Sequence, residues 1–141
     1  MERHADKFLP RPTPETAPFW AGCRDQKLLL QHCAACDAHQ FYPRLVCATC
    51  LSDQLEWREA SGRGTVETYT IVTRAVSEAY AADAPYVIAL ITLEEGPRMM
   101  SNVIGCDVTS VTCGLAVEVV FEPLSADITM PKFRPIAGTP G

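Results

Sequence analysis

From Thr65 onward the chain runs in short stretches with the two-residue period of β-strands. Residues 65–72 (Thr-Val-Glu-Thr-Tyr-Thr-Ile-Val) are β-branched and alternate. Residues 86–93 (Tyr-Val-Ile-Ala-Leu-Ile-Thr-Leu) are nearly continuously apolar, which places that strand at the centre of a sheet. Glu94-Glu95-Gly96-Pro97 has turn chemistry and joins it as a hairpin to residues 98–104. Residues 116–121, after Gly114, and residues 128–133 supply two further strands. Five strands, with the longest connection (residues 74–85) between the first and second and no convincing long helix, predict a small closed barrel of the OB type; a short sandwich is the competing architecture. The long connection, with Tyr80 and several alanines, is a candidate contact loop or simply a solvated one.

The first sixty residues read differently. Residues 1–12 are polar, and Pro10 and Pro12 oppose helix, so an arm is expected. Thr13 or Thr16 can cap a short helix over about residues 14–26, with Phe19, Trp20 and Cys23 as its apolar stripe. So short a helix is marginal alone, and its aromatic side chains must pack on the rest of the protein or on a partner. Residues 28–32 and 39–44 read as strands on either side of a cysteine pair, and Leu55-Glu56-Trp57-Arg58-Glu59 alternates as a third strand should. Ser61-Gly62-Arg63-Gly64 marks the boundary, because two glycines in four residues allow a bend or bulge where a new sheet begins. The expected organisation is an arm and helix (1–27), a ribbon (28–59), a barrel (60–136) and a tail (137–141), mainly β throughout.

The ribbon carries the clearest chemistry. Cys33-Ala34-Ala35-Cys36 is followed after ten residues by Cys47-Ala48-Thr49-Cys50. Two such pairs a hairpin apart can surround one tetrahedral metal ion with four thiolates, each pair forming a tight knuckle. Zn2+ is the expected cofactor. The closed ligand set leaves no open position for water or substrate, so the ion serves structure rather than Lewis-acid catalysis. The same four sulfurs could hold iron as a rubredoxin-like electron carrier. Cys23, Cys106 and Cys113 remain as free thiols packed or exposed like other small residues. His4, His32 and His39 lie in the arm or beside the first knuckle, where surface or supporting roles outweigh proton transfer. No nucleophile–base pair stands out, so no catalytic residue is assigned.

Composition narrows the class. The 141 residues are 48% hydrophobic and 21% charged, the balance of a folded domain rather than a disordered one. The N-terminus lacks the apolar run of a signal peptide and no later stretch is long enough to span a bilayer, so a cytoplasmic location is expected, and with it reduced cysteines. A net charge of −5 argues against nucleic-acid binding, the other common use of a ribbon and barrel, because that function needs a basic face to displace counterions from phosphates.

Several strings in fixed order then acquire meaning together: Pro18-Phe19-Trp20, Tyr42-Pro43-Arg44, Ser61-Gly62-Arg63-Gly64, Pro85-Tyr86-Val87, Glu95-Gly96-Pro97-Arg98 and Pro131-Lys132-Phe133-Arg134-Pro135. In this order over residues 13–136 the chain resembles the thiolase-associated zinc-ribbon plus OB-fold proteins, long catalogued as a domain of unknown function. The resemblance implies a non-catalytic accessory subunit of a thiolase-like or related acyl-CoA enzyme, an acyltransferase or lyase among them, required for the partner's activity and helping to hold or channel the acyl-CoA. It places Cys33, Cys36, Cys47 and Cys50 at the zinc. If acyl-CoA is shared with the partner, its phosphates need donors. Arg44, Arg63, Arg98, Lys132 and Arg134 are the candidates, and Phe133 could pack beneath them or against the partner. One departure stands out. The family commonly has Gly after the second cysteine of a knuckle, where this chain has Asp37 and Leu51. A left-handed backbone suits Asp better than Leu, so the second knuckle is expected to be distorted or its metal more labile.

Overall fold

In the computed structural model the described residues are 9–74 and 81–136. A helix α1 (Ala17–Arg24) leads into a three-stranded ribbon of β1 (Leu29–Cys33), β2 (His39–Gln40) and β3 (Leu55–Glu59), ordered β2-β1-β3. Five longer strands follow: β4 (Arg63–Val72), β5 (Tyr86–Leu93), β6 (Arg98–Val103), β7 (Ala116–Pro123) and β8 (Thr129–Pro135). They close in the order β4-β5-β6-β8-β7, with β4 returning to β7 through Arg63 opposite Glu118 and Thr65 opposite Ala116. The β6–β8 pairing is parallel and the others are antiparallel, so the expected OB-type closed barrel is the one observed and the sandwich is not.

The helix is shorter than the sequence implied. Thr13 and Thr16 bond to one another, Thr13 N–H donating to Thr16 Oγ1 at 2.8 Å, and this turn precedes the helix rather than belonging to it. Gln26 at φ 63° ends it early, and Lys27 N–H closes back on the Gly22 carbonyl at 2.8 Å. The strand expected at 39–44 ends at Gln40, because from Phe41 the chain leaves the sheet to form a loop held by side chains. Trp20 packs edge-on to Phe19, with ring centroids 5.0 Å apart, and Phe19 lies against Phe41 at 5.2 Å.

Helix, ribbon base and barrel share one core. Phe19 and Cys23 of the helix and Leu28 and Leu30 at the ribbon base cluster with Val66, Val87, Ile91, Met99, Val117 and Phe133 of the barrel. Burial pushes the Cys23 thiol pKa up to about 12, so it is an inert core residue as expected. The near-continuous apolar run of β5 is explained by its two faces. Val87, Ala89, Ile91 and Leu93 fill the barrel, while Tyr86 and Ile88 are half-buried along an outer groove. The two boundary glycines are required for different reasons. Gly62 sits at φ 81°, and a Cβ on Gly64 would lie 2.5 Å from the Thr92 carbonyl oxygen, where β4 and β5 approach closely. Tyr80 and half of its connection (75–80), the first eight residues and the tail at 137–141 lie outside the described residues.

Candidate functional site

The four predicted cysteines converge. Their Sγ atoms lie within 4.8 Å of one another, with Cys33–Cys50 and Cys36–Cys47 each at 3.6 Å. A disulfide would need about 2.05 Å. Four sulfurs about 2.3 Å from a central zinc ion stand roughly 3.8 Å apart, so the geometry fits a tetrahedral metal centre. The chain also supplies the supporting donors. Backbone N–H groups of Cys50 and Thr49 directed at Cys47 Sγ bring that thiol's pKa down to about 6, whereas desolvation and the neighbouring sulfurs push those of Cys36 and Cys50 up.

The two knuckles have the same backbone. Asp37 N–H bonds to the Cys33 carbonyl at 2.8 Å and Leu51 N–H to the Cys47 carbonyl at 2.9 Å, with φ of 65° at Asp37 and 66° at Leu51. The left-handed conformation anticipated at Leu51 is present, and its side chain is 75% exposed. Both knuckles close alike, so the departure from glycine appears as local strain rather than a misshapen turn.

His32 is buried rather than at the surface. Its Nε2 meets Asp37 and its Nδ1 meets Glu56 at 2.9 Å, which ties the first knuckle to β3. These two carboxylates raise the His32 pKa, and His32 in turn lowers those of Asp37 and Glu56.

Two glutamines that the sequence did not single out shape the surface beside the metal site. Gln31, buried on β1, accepts from Arg44 N–H at 2.8 Å and donates to the Arg44 carbonyl at 2.8 Å. Gln40 donates to Gln31 Oε1 at 2.7 Å and to the Val46 carbonyl at 3.3 Å, and accepts from Ala48 N–H at 2.9 Å. Residues 41–48 are thereby fixed by side-chain amides instead of a sheet. An isolated Gln in an apolar strand carries no motif, but a buried Gln facing a loop that contains Pro43 is the pattern to look for.

The predicted cationic contacts are brought together only in part. Arg63 of β4 and Arg134 of β8 stand on either side of Glu118 of β7, Arg134 pairing with Glu118 at 2.9 Å and Arg63 with Glu94 at 3.2 Å, whereas Arg98 pairs with Glu67 at 2.6 Å. Lys132 lines a groove of about 670 Å³ on the outer face of β5, β6 and β8, where it pairs with Glu122 at 2.7 Å. The groove is otherwise bordered chiefly by apolar groups, among them Tyr86, Ile88, Met100 and Met130. Arg44, exposed in the amide-fixed loop, makes no ion pair among the described residues. Phe133 is 0% exposed in the barrel core, and the contact assigned to it is corrected: the parallel pairing of Val103 with Phe133 turns that ring inward.

Ribbon, barrel and metal site together agree with known proteins. Residues 20–56 match the family described as "ChsH2, rubredoxin-like zinc ribbon domain", and residues 57–122 match "ChsH2, C-terminal OB-fold domain". A DUF35 domain-containing scaffold protein of Methanocaldococcus jannaschii is 34% identical over 125 residues, covering 83% of this chain and 88% of its own length. The chain belongs to the DUF35 family of ChsH2-type zinc-ribbon and OB-fold proteins. A probable enoyl-CoA hydratase alpha subunit of Thermomonospora curvata is 30% identical over 136 residues. That match takes in 95% of this chain but only 42% of the hydratase subunit, so the chain spans less than half of that relative. Among solved structures, a chain of an Ltp2-ChsH2(DUF35) aldolase superposes with a TM-score of 0.81 at 29% identity, over 89% of this chain and 98% of that one. No helix among the described residues is long and apolar enough to cross a membrane.

Proposed function

We propose that this chain is a non-catalytic accessory subunit of an acyl-CoA-processing enzyme, with a thiolase-like or related C–C bond-forming or -breaking subunit as its partner. The observation that carries the reading is the superposition on nearly the whole of a chain from the Ltp2-ChsH2(DUF35) aldolase, a protein whose name joins a DUF35 chain to a second component. The hydratase alpha subunit among the relatives supports the acyl-CoA class.

The chemistry of the chain is consistent with this role. The four-sulfur site has no vacant ligand position, so its ion holds the knuckles and does not activate substrate. Among the described residues no cysteine or serine is paired with a histidine as nucleophile and base; the buried His32 is held by two carboxylates. The groove beside Lys132 offers an apolar wall with the Lys132–Glu122 ion pair at its edge, suited to a pantetheine or acyl segment whose reacting end lies in the partner.

The test is purification of the tagged chain from its native host, followed by assay. The purified chain alone should turn over no acyl-CoA thioester, and adding it to the recovered acyl-CoA enzyme subunit should raise or restore that subunit's activity. Turnover by the chain alone would overturn the proposal.

A further inference from the structure

Four of the five exposed large apolar side chains found among the described residues fall on the ribbon, and the fifth lies on the barrel strand that the ribbon touches. Tyr42, Leu45, Val46 and Leu51 lie on the ribbon between β2 and the end of the second knuckle, and Met100 lies on β6. The two parts meet where Met100 N–H donates to Tyr42 Oη at 3.4 Å. Apolar groups gathered this way mark an interaction site more than chance exposure does, and here the backbone beneath them is fixed in advance by Gln31 and Gln40.

Charge selects the occupant. Arg44 stands inside this patch without an ion pair among the described residues, while the strand arginines Arg58, Arg63, Arg98 and Arg134 each face a carboxylate of the chain. Residues 38–52 contain no Asp or Glu. Two copies packed patch to patch would bring two Arg44 side chains together with no carboxylate in the 38–52 segment to receive them, which disfavours self-association. A nucleic acid would meet a single cation among apolar groups on a chain of net charge −5.

We infer that the ribbon–barrel face formed by Tyr42, Arg44, Leu45, Val46, Leu51 and Met100 is the docking surface for the enzyme subunit, which presents an apolar face carrying a carboxylate to Arg44. This rests on the accessory-subunit reading above and deepens it. Met100 also lines the outer groove, so a subunit seated on this face abuts the groove's open side and encloses whatever lies along it.

The test uses the full chain with native zinc. Wild type, Arg44→Glu and Leu45→Glu are purified from the host in parallel, and the recovered acyl-CoA enzyme subunit is quantified. The photo-crosslinking residue p-benzoylphenylalanine is placed at Leu45 and, as a control, at the exposed Thr65 of β4. Both substitutions should lower recovery of the subunit at least tenfold with zinc content and melting temperature unchanged. The crosslinker at position 45, but not at 65, should join that subunit. Variants that retain the subunit as wild type does would overturn this surface and leave the accessory function standing. So would crosslinks from position 45 only to a second copy, to nucleic acid or within the chain. Recovery of no acyl-CoA enzyme subunit by wild type would instead defeat the functional reading itself, and this inference with it.

Discussion

Leu51→Gly should stabilise the protein, which is the reverse of the usual effect of introducing glycine. Leu51 holds φ 66° at the exit of the second knuckle, a conformation that costs a non-glycine residue about 1–2 kcal/mol. Its side chain is 75% exposed, so little burial is lost on truncation. Glycine adds unfolded-state entropy worth about 0.5–1 kcal/mol in the other direction. The difference leaves a gain of roughly 0.5–1 kcal/mol, or about two- to fivefold in an equilibrium constant. Because the Leu51 N–H bond to the Cys47 carbonyl closes the knuckle around two of the sulfurs, the gain should appear as tighter zinc retention against a chromophoric chelator, alongside a small rise in melting temperature. Asp37→Gly is the matched control. It occupies the same conformation at φ 65°, but Asp tolerates it better and its carboxylate holds His32, so this change should be neutral or destabilising. Equal or weaker zinc retention in Leu51→Gly, with Asp37→Gly behaving the same way, would refute the strain argument.

Three further outcomes are expected. Gln31→Ala removes both bonds to the Arg44 backbone and should cost about 1–2 kcal/mol by denaturant titration; it should also weaken partner recovery without releasing zinc. Gly64→Ala drives a methyl onto the Thr92 carbonyl oxygen at 2.5 Å and should destabilise the barrel by at least about 2 kcal/mol in thermal unfolding, whereas Gly96→Ala meets no atom within 4 Å and should cost less, through its φ of 113° alone. Chelation of the metal should expose residues 34–53 to hydrogen exchange while protection persists in β5 and β7, because Leu28 and Leu30 anchor the ribbon base in the shared core independently of the metal.

Much of the fold is legible from local pattern. The alternation in residues 55–59 and the near-continuous apolar run at 86–93 correspond to strands with those bounds, and the spacing of the four cysteines to two knuckles, because each depends on nearest neighbours or on a repeating face. The left-handed residues at Asp37 and Leu51 follow from where glycine is missing after a knuckle. What escaped the sequence depends on distant partners. The strand expected after His39 is a loop because Gln31 and Gln40 supply bonds that a sheet would otherwise make, and neither residue carries a motif. Lys132, Phe133 and Arg134 all stand in the sequence as candidate contacts, yet successive strand residues alternate faces, so Phe133 enters the core while Lys132 turns to the groove. The apolar face on the ribbon was hidden for a similar reason. Leu45, Val46 and Leu51 carry no motif that marks a surface, and only the course of the amide-fixed loop and the second knuckle exposes them.

The central claim is that the chain acts through a partner and not by itself, and a reconstitution assay measures this most directly. The acyl-CoA enzyme subunit recovered with the chain is assayed for turnover alone, with the wild-type chain, and with Leu45→Glu, while the chain is also assayed alone. Turnover that rises with the wild-type chain, rises far less with Leu45→Glu, and is absent for the isolated chain is the predicted result. An unchanged rate on adding the chain, or turnover by the chain alone, would contradict it.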